Sequence, residues 1–219
     1  MNGNTRTRQN EKTGGFRGLR ARRDVRAWLT AAYEKMEHHF GKLHWWPGET
    51  PFEVAVGAIL TQNTAWSNVE RAIDRLKAAG LLREDRLYET PLPELIEAIR
   101  PAGFYNLKAK RLRAFLEFLH ERHGGCMENM FSGETGVLRE ELLSVRGIGQ
   151  ETADSILLYG DNRPLFVVDA YTRRILERHG ILGPSRAYGE IQAMFMEHLP
   201  RDGTLYNQYH ALIVSTGKH

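Results

Sequence analysis

VRGIGQETAD, residues 145–154, is the stretch on which the fold turns. Gly147 and Gly149 flank a single apolar residue, Ile148, and the residues after them have the composition of a helix's opening turn. In the wider segment ELLSVRGIGQETADSILLYG, a helix with Leu142 and Leu143 inward precedes the glycines, and a second helix with Ala153, Ile156 and Leu157 inward follows at once. Glycine reaches backbone angles closed to other residues, so the turn can be tight while its amides point outward. Those amides, with the positive end of the second helix dipole, suit one phosphate, and Ile148 would plug the hairpin into the core. An ordinary helix–turn–helix connection is the plain alternative, because a lone G-x-G carries little information. The context separates the two: helix, G-I-G, helix, then an acid about twenty residues on in FVVDAYTRRIL.

Outward from this point the chain reads as helix after helix. Asp24 is placed to cap a helix running to about Gly41, with Trp28, Leu29, Ala32 and Met36 on one face. Pro51 opens a mostly buried helix to about Leu60, and Trp66, Val69, Ile73 and Leu76 give the next an apolar stripe ending at Gly80. Pro93 starts a short helix. Lys108 to His123 carries Leu112, Phe115, Leu116 and Leu119 at helical spacing and stops at Gly124-Gly125. Amphipathic segments follow at about 136–144, 150–159, 170–179, 185–198 and 204–216, and LFVV (165–168), with nothing to pair with, reads as a buried extended connector.

Composition narrows the class. The chain has 219 residues, 42% of them hydrophobic, and its longest apolar runs are far too short to span a bilayer. No signal-peptide-like segment opens it, so a cytoplasmic protein without a membrane partner is expected. Cys126 is the only cysteine. It can supply neither an internal disulfide, nor a cysteine-built zinc site, nor the thiolates of an iron–sulfur cluster, and no metal site is expected. Residues 1–23 carry seven basic residues against Glu11 alone, so within a net charge of +3 the remainder is −3. That tail is read as disordered and basic, with salt-sensitive phosphate contacts as the alternative. Net charge therefore does not show that the folded body binds nucleic acid.

LLSVRGIGQETADSILLYG followed by LFVVDAYTRRIL resembles the helix-hairpin-helix DNA glycosylase superfamily, in its endonuclease III branch. PFEVAVGAILTQNTAWSNVERAIDRL (51–76) is similar to that branch's early core helices, and IRPAGFYNLKAKRL (99–112) to its next helical turn. The likeness spans about residues 26–217. It implies an all-α fold of two lobes with a cleft between them: 24–49 with 160–219 as one lobe, and 50–159 as the other, carrying the hairpin at about 137–159. It also implies excision of a damaged base flipped out of double-stranded DNA, by a monomer. By this resemblance DNA contacts fall to Gln62, Asn63, Tyr105, Lys108, Lys110, Arg146, Gly147, Ile148, Gly149 and Thr152. A monovalent cation at the hairpin is the one ion it leaves room for.

Asp169 matches the family's essential aspartate. It stands where a helix begins, so free amides and the dipole favour its ionised form. A carboxylate held ionised stabilises the oxocarbenium-like sugar and orients water, a role that can coexist with simple N-capping. Glu151 occupies the position where bifunctional relatives carry a lysine that forms a Schiff base. Glutamate cannot, which implies a monofunctional enzyme that uses water; Glu151 is open equally to a capping role and to one in the pocket. Trp45, Trp46 and Pro47, with Trp66 opposite, resemble the base pocket of the cluster-free 3-methyladenine subgroup, and Lys218 approaches that pocket by resemblance alone. A π-rich slot selects a cationic, ring-methylated base without an acid, although one of the adjacent tryptophans is expected to be core. Most relatives continue past the helix YNQYHALIVSTGKH into a cysteine loop, so either the cluster-free subgroup or a shortened sequence accounts for the end at His219. Oxidised pyrimidines or mismatched bases as substrates, and a non-catalytic DNA-structure binder, are the alternatives.

Overall fold

The computed structural model describes residues 21–43, 45–183 and 185–218. Among these residues there are twelve α-helices and no strand. α1 (Ala21–Phe40) leads into a central group: α2 (Pro51–Leu60), α3 (Trp66–Ala78), α4 (Glu84–Glu89), α5 (Leu92–Ala98), α6 (Tyr105–His123), α7 (Met127–Phe131), α8 (Thr135–Ser144) and α9 (Gln150–Asp161). α10 (Ala170–Arg178), α11 (Tyr188–His198) and α12 (Gly203–Lys218) return the chain to α1.

Local chemistry explains the boundaries. Thr50 Oγ1 accepts from the Glu53 amide at 3.1 Å and Pro51 takes the first turn, so α2 starts where an unpaired N–H costs nothing. α3 buries Val69, Ala72, Ile73 and Leu76 along one stripe. α1 departs from expectation: it begins at Ala21, so Asp24 lies within the helix rather than capping it. The expected basic tail falls outside the described residues up to position 20, and 21–23 are helical. α6 starts three residues earlier than Lys108. Two short helices, α4 and α7, lie in segments whose helices the sequence pattern did not resolve.

Two buried clusters divide the molecule. One is built from residues 52–165, including Ile59, Leu76, Phe115 and Ile156; the other joins Val25 and Leu29 of α1 to Phe166, Val168, Phe195 and Tyr209. The seam runs through α9, whose Ala153, Ile156 and Leu157 face the central core while Leu158 faces the terminal one. Residues 165–168 form the buried extended connector, lying close to the seam.

A polar cluster locks that seam. Asp154, fully buried on α9, accepts from Arg139 Nε at 2.6 Å and Nη2 at 3.1 Å. It also accepts from Tyr188 Oη at 2.8 Å and Gln192 Nε2 at 2.7 Å. Gln192 donates further to the Phe166 carbonyl, and the Val168 amide donates to Tyr188 Oη. One carboxylate thus ties α8, α9 and α11 to the connector that ends at Asp169. Asp154→Ala leaves Arg139, 17% exposed, without its partner and is expected to cost about 3–5 kcal/mol of stability, to be measured by urea denaturation.

Candidate active site

The hairpin takes its shape from its two glycines, each for a different reason. Gly147 sits at φ +93°, where a side chain is strained and would also run into Arg111. Ile148 is 5% exposed and belongs to the central core, so it anchors the turn. Gly149 precedes α9 at φ −99°, with open space where a side chain would stand and no side-chain cap on the helix. The first-turn amides of α9 are therefore left for an anion. Gln62 braces the turn from the central lobe: its Nε2 donates to the Gly147 carbonyl at 3.1 Å and to Thr152 Oγ1 at 2.9 Å, and Arg111 donates to its Oε1.

Asp169 lies across the cleft from the hairpin, at the start of α10. Its Oδ1 accepts from the Thr172 amide at 2.7 Å and from Thr172 Oγ1 at 2.9 Å, so it caps the helix as well as facing the cleft. Its Oδ2 stands 3.6 Å from His210 Nε2, and its side chain is 13% exposed. Burial by itself would push this carboxyl up; its interactions with His210 and the bonds from Thr172 outweigh it and bring the pKa down to about 2.

Glu151, in the first turn of α9, behaves oppositely. Its side chain is open to the cleft, yet the surrounding protein raises its pKa, and the Asp169 charge adds to the rise while His210 and Arg173 oppose it. The two carboxylates therefore have different protonation tendencies in one cavity.

Aromatic rings close the third side. Trp46 packs in the central core, stacked on Tyr159 at 4.9 Å and edge-on to Trp66 at 4.8 Å. Trp45 is edge-on to Trp46, and the Lys218 ammonium stands 5.6 Å over the Trp45 ring. The cavity has a volume of about 980 Å³. It collects Trp45, Trp46, Gln62, Asn63, Trp66, Gly147, Gly149, Glu151, Thr152, Asp169 and Lys218 in one place.

Other expected site residues lie elsewhere. Pro47 lines a neighbouring cavity of about 680 Å³ that shares Trp46 and Trp66 with this one. Tyr105, beneath Arg100 at 5.1 Å, and the exposed Lys110 and Arg146 do not line the cleft. Lys108 is a correction. It is 1% exposed, and its Nζ donates at 2.7 Å to the carbonyls of Leu60 and Ala102, so it cannot offer a surface cation to DNA. Burial, with Arg111 nearby, lowers its pKa to about 8. Its role is to satisfy the end of α2, from which the Gln62 loop departs.

Residues 56–201 match the HhH-GPD superfamily of base excision DNA repair proteins. The chain belongs to that superfamily. A Methanocaldococcus jannaschii protein, provisionally named a DNA repair glycosylase, is 51% identical over 183 residues, 83% of each chain. Endonuclease III of Sulfolobus acidocaldarius is 29% identical over 74% of this chain and 70% of its own. Among solved structures, the H. pylori 3-methyladenine DNA glycosylase bound to 1,N6-ethenoadenine superposes with a TM-score of 0.76 at 30% identity, covering 89% of this chain and 97% of that one. An endonuclease III–DNA complex, at 20% identity and a TM-score of 0.75, shares the fold. The protein is thus a DNA glycosylase of base excision repair, with DNA as its partner.

Several residues of the glycosylase cleft were not singled out from sequence. His210 and, behind it, Tyr159, which bonds His210 without lining the cavity, sit on apolar helix faces that read as ordinary core, and Arg111 and Arg173 lie in charge-rich helices without a distinguishing pattern. Outside the cavity lining, Phe104 is 68% exposed at φ +44°, and the preceding Gly103 lies beside Thr64.

Two predictions follow from this geometry. A folded-state pKa held below its ordinary value of 3.8 contributes stability above that value and loses it as pH falls through the folded value. The Asp169 carboxyl 13C resonance is accordingly expected to titrate near pH 2. Gly149→Asp introduces no clash, so its effect is electrostatic: affinity should drop for damaged and undamaged duplexes alike, with a salt slope smaller by about 1. Binding isotherms across a salt series check this, and an unchanged slope would count against a phosphate at the hairpin.

Proposed function

We propose that this glycosylase excises purines alkylated on a ring nitrogen, of the 3-methyladenine type, from damaged duplex DNA, and that it does so without cleaving the strand. The observation that carries the proposal is the pairing, in one cleft, of the rings of Trp45, Trp46 and Trp66 with an ionised carboxylate and no lysine on the hairpin helix. A base methylated on a ring nitrogen is cationic and leaves readily, so recognition by an aromatic face replaces protonation by an acid. The 30% identity with a 3-methyladenine DNA glycosylase whose bound ligand is an ethenoadenine supports the same substrate class.

The division of labour follows from the two carboxylates. As the C1′–N bond lengthens, positive charge develops on the sugar, and Asp169, anionic at any physiological pH, stabilises it. Glu151, whose pKa is raised, accepts the proton of the attacking water. Glu151 has no amine to form an imine, so the product is an abasic site.

A base-release assay on methylated duplex DNA tests the reading. Released 3-methyladenine is expected, with strand breaks appearing only after alkali and no protein–DNA adduct on borohydride reduction. Asp169→Asn should slow single-turnover release by at least about 100-fold while retaining binding. An adduct with the wild-type chain would point to Lys218 as a nucleophile and end the monofunctional reading. Release of thymine glycol in preference to 3-methyladenine would favour the alternative reading, an oxidised-pyrimidine glycosylase.

A further inference from the structure

The carboxylate in the cleft is held from one side by its own helix; what holds the other side is a buried pair of residues from α9 and α12. The Tyr159 hydroxyl lies 2.6 Å from His210 Nδ1. The second ring nitrogen, Nε2, is buried without a hydrogen-bond partner and faces Asp169 Oδ2 at 3.6 Å. His210 is 4% exposed, so bulk water serves neither nitrogen.

A neutral imidazole carries one proton, and the partner of one nitrogen decides where it sits. Burial keeps the Tyr159 phenol far above its ordinary range, the Asp169 charge adds to this, and the Trp45 indole donor opposes it. Tyr159 is therefore a protonated donor. A buried O–H needs an acceptor, and His210 Nδ1 is the one within hydrogen-bond reach. Stacking on Trp46 at 4.9 Å fixes the phenol ring, so the direction of this bond is set by packing. Glu151 and Arg173 also lie in the electrostatic neighbourhood of the cleft, and neither hydrogen-bonds the imidazole.

We propose that Tyr159 and His210 are positioning residues for base excision: the Tyr159 hydroxyl donates to His210 Nδ1, which places the imidazole proton on Nε2, facing the Oδ2 of Asp169 that the helix cap leaves free. Thr172 then orients Oδ1 and His210 orients Oδ2, so the carboxylate plane is defined from two sides. Contacts of this length in a substrate-free site shorten when substrate closes the cleft. The inference rests on Asp169 being the carboxylate of the reaction.

The test combines a spectroscopic and a kinetic readout on the full chain. The 15N shifts of neutral His210 are expected to show protonated Nε2 and bare Nδ1, and Tyr159→Phe should convert this to a mixture of tautomers. The same variant should release base about 10-fold more slowly in single turnover, the loss of one buried hydrogen bond, with unchanged affinity for a duplex bearing an abasic-site analogue. His210→Gln retains an N–H near the Nε2 position and should keep most of the rate, and adding Tyr159→Phe to it should cost nothing more. A proton on Nδ1 and none on Nε2 of neutral His210 in the wild-type chain would overturn the proposal, and that measurement does not depend on any variant folding. So would Tyr159→Phe leaving the rate intact while Asp169→Asn abolishes release. If Asp169→Asn releases base normally, the fault lies in the reading of Asp169 instead, whatever the tautomer.

Discussion

Desolvating a carboxylate costs several kcal/mol unless donors or charge replace the lost water, and Asp169 sits under that constraint with 13% of its side chain exposed. Two Thr172 donors in the first turn of α10 and the His210 ring in α12 supply the replacement. The position of α10 is set in turn by the connector before it, and the connector is held by Tyr188 and Gln192 through buried Asp154. The charge in the cleft therefore depends on a network reaching back to α8.

α9 couples these parts. Its first turn follows the hairpin, offering amides to a phosphate and Glu151 to the cleft; its middle carries Asp154; Tyr159 near its end stacks on Trp46 and meets His210. In the proposed reaction, DNA backbone, reacting sugar and base wall are all registered against this one helix, which would limit the freedom lost when a nucleotide enters the cleft. The seam between the two cores runs through the same helix, so the cleft opens where neither core fills the space.

Much of this was legible in the residues. The stripe Val69–Ile73–Leu76, the Thr50-Pro51 start and the G-I-G turn are contacts between neighbours in the chain, and periodicity and capping report them directly. Asp169 was legible for the same reason, since a cap bonds three residues ahead. Lys108 and Lys110 looked alike in YNLKAKRL, and only the carbonyls of Leu60 and Ala102 distinguish the buried one from the exposed one. α4 and α7, of six and five residues, are too short for a periodic signal.

From sequence alone came the helical order, the hairpin, the family resemblance and the carboxylate at a helix start, because each is written in residues a few positions apart. Tertiary structure decided which aromatic rings face one another, that Gln62 braces Gly147 from 85 positions away, and that His210 meets Tyr159 across 51. Such pairings depend on how two cores settle against a shared helix, and no local pattern encodes a distance between residues brought together only by packing.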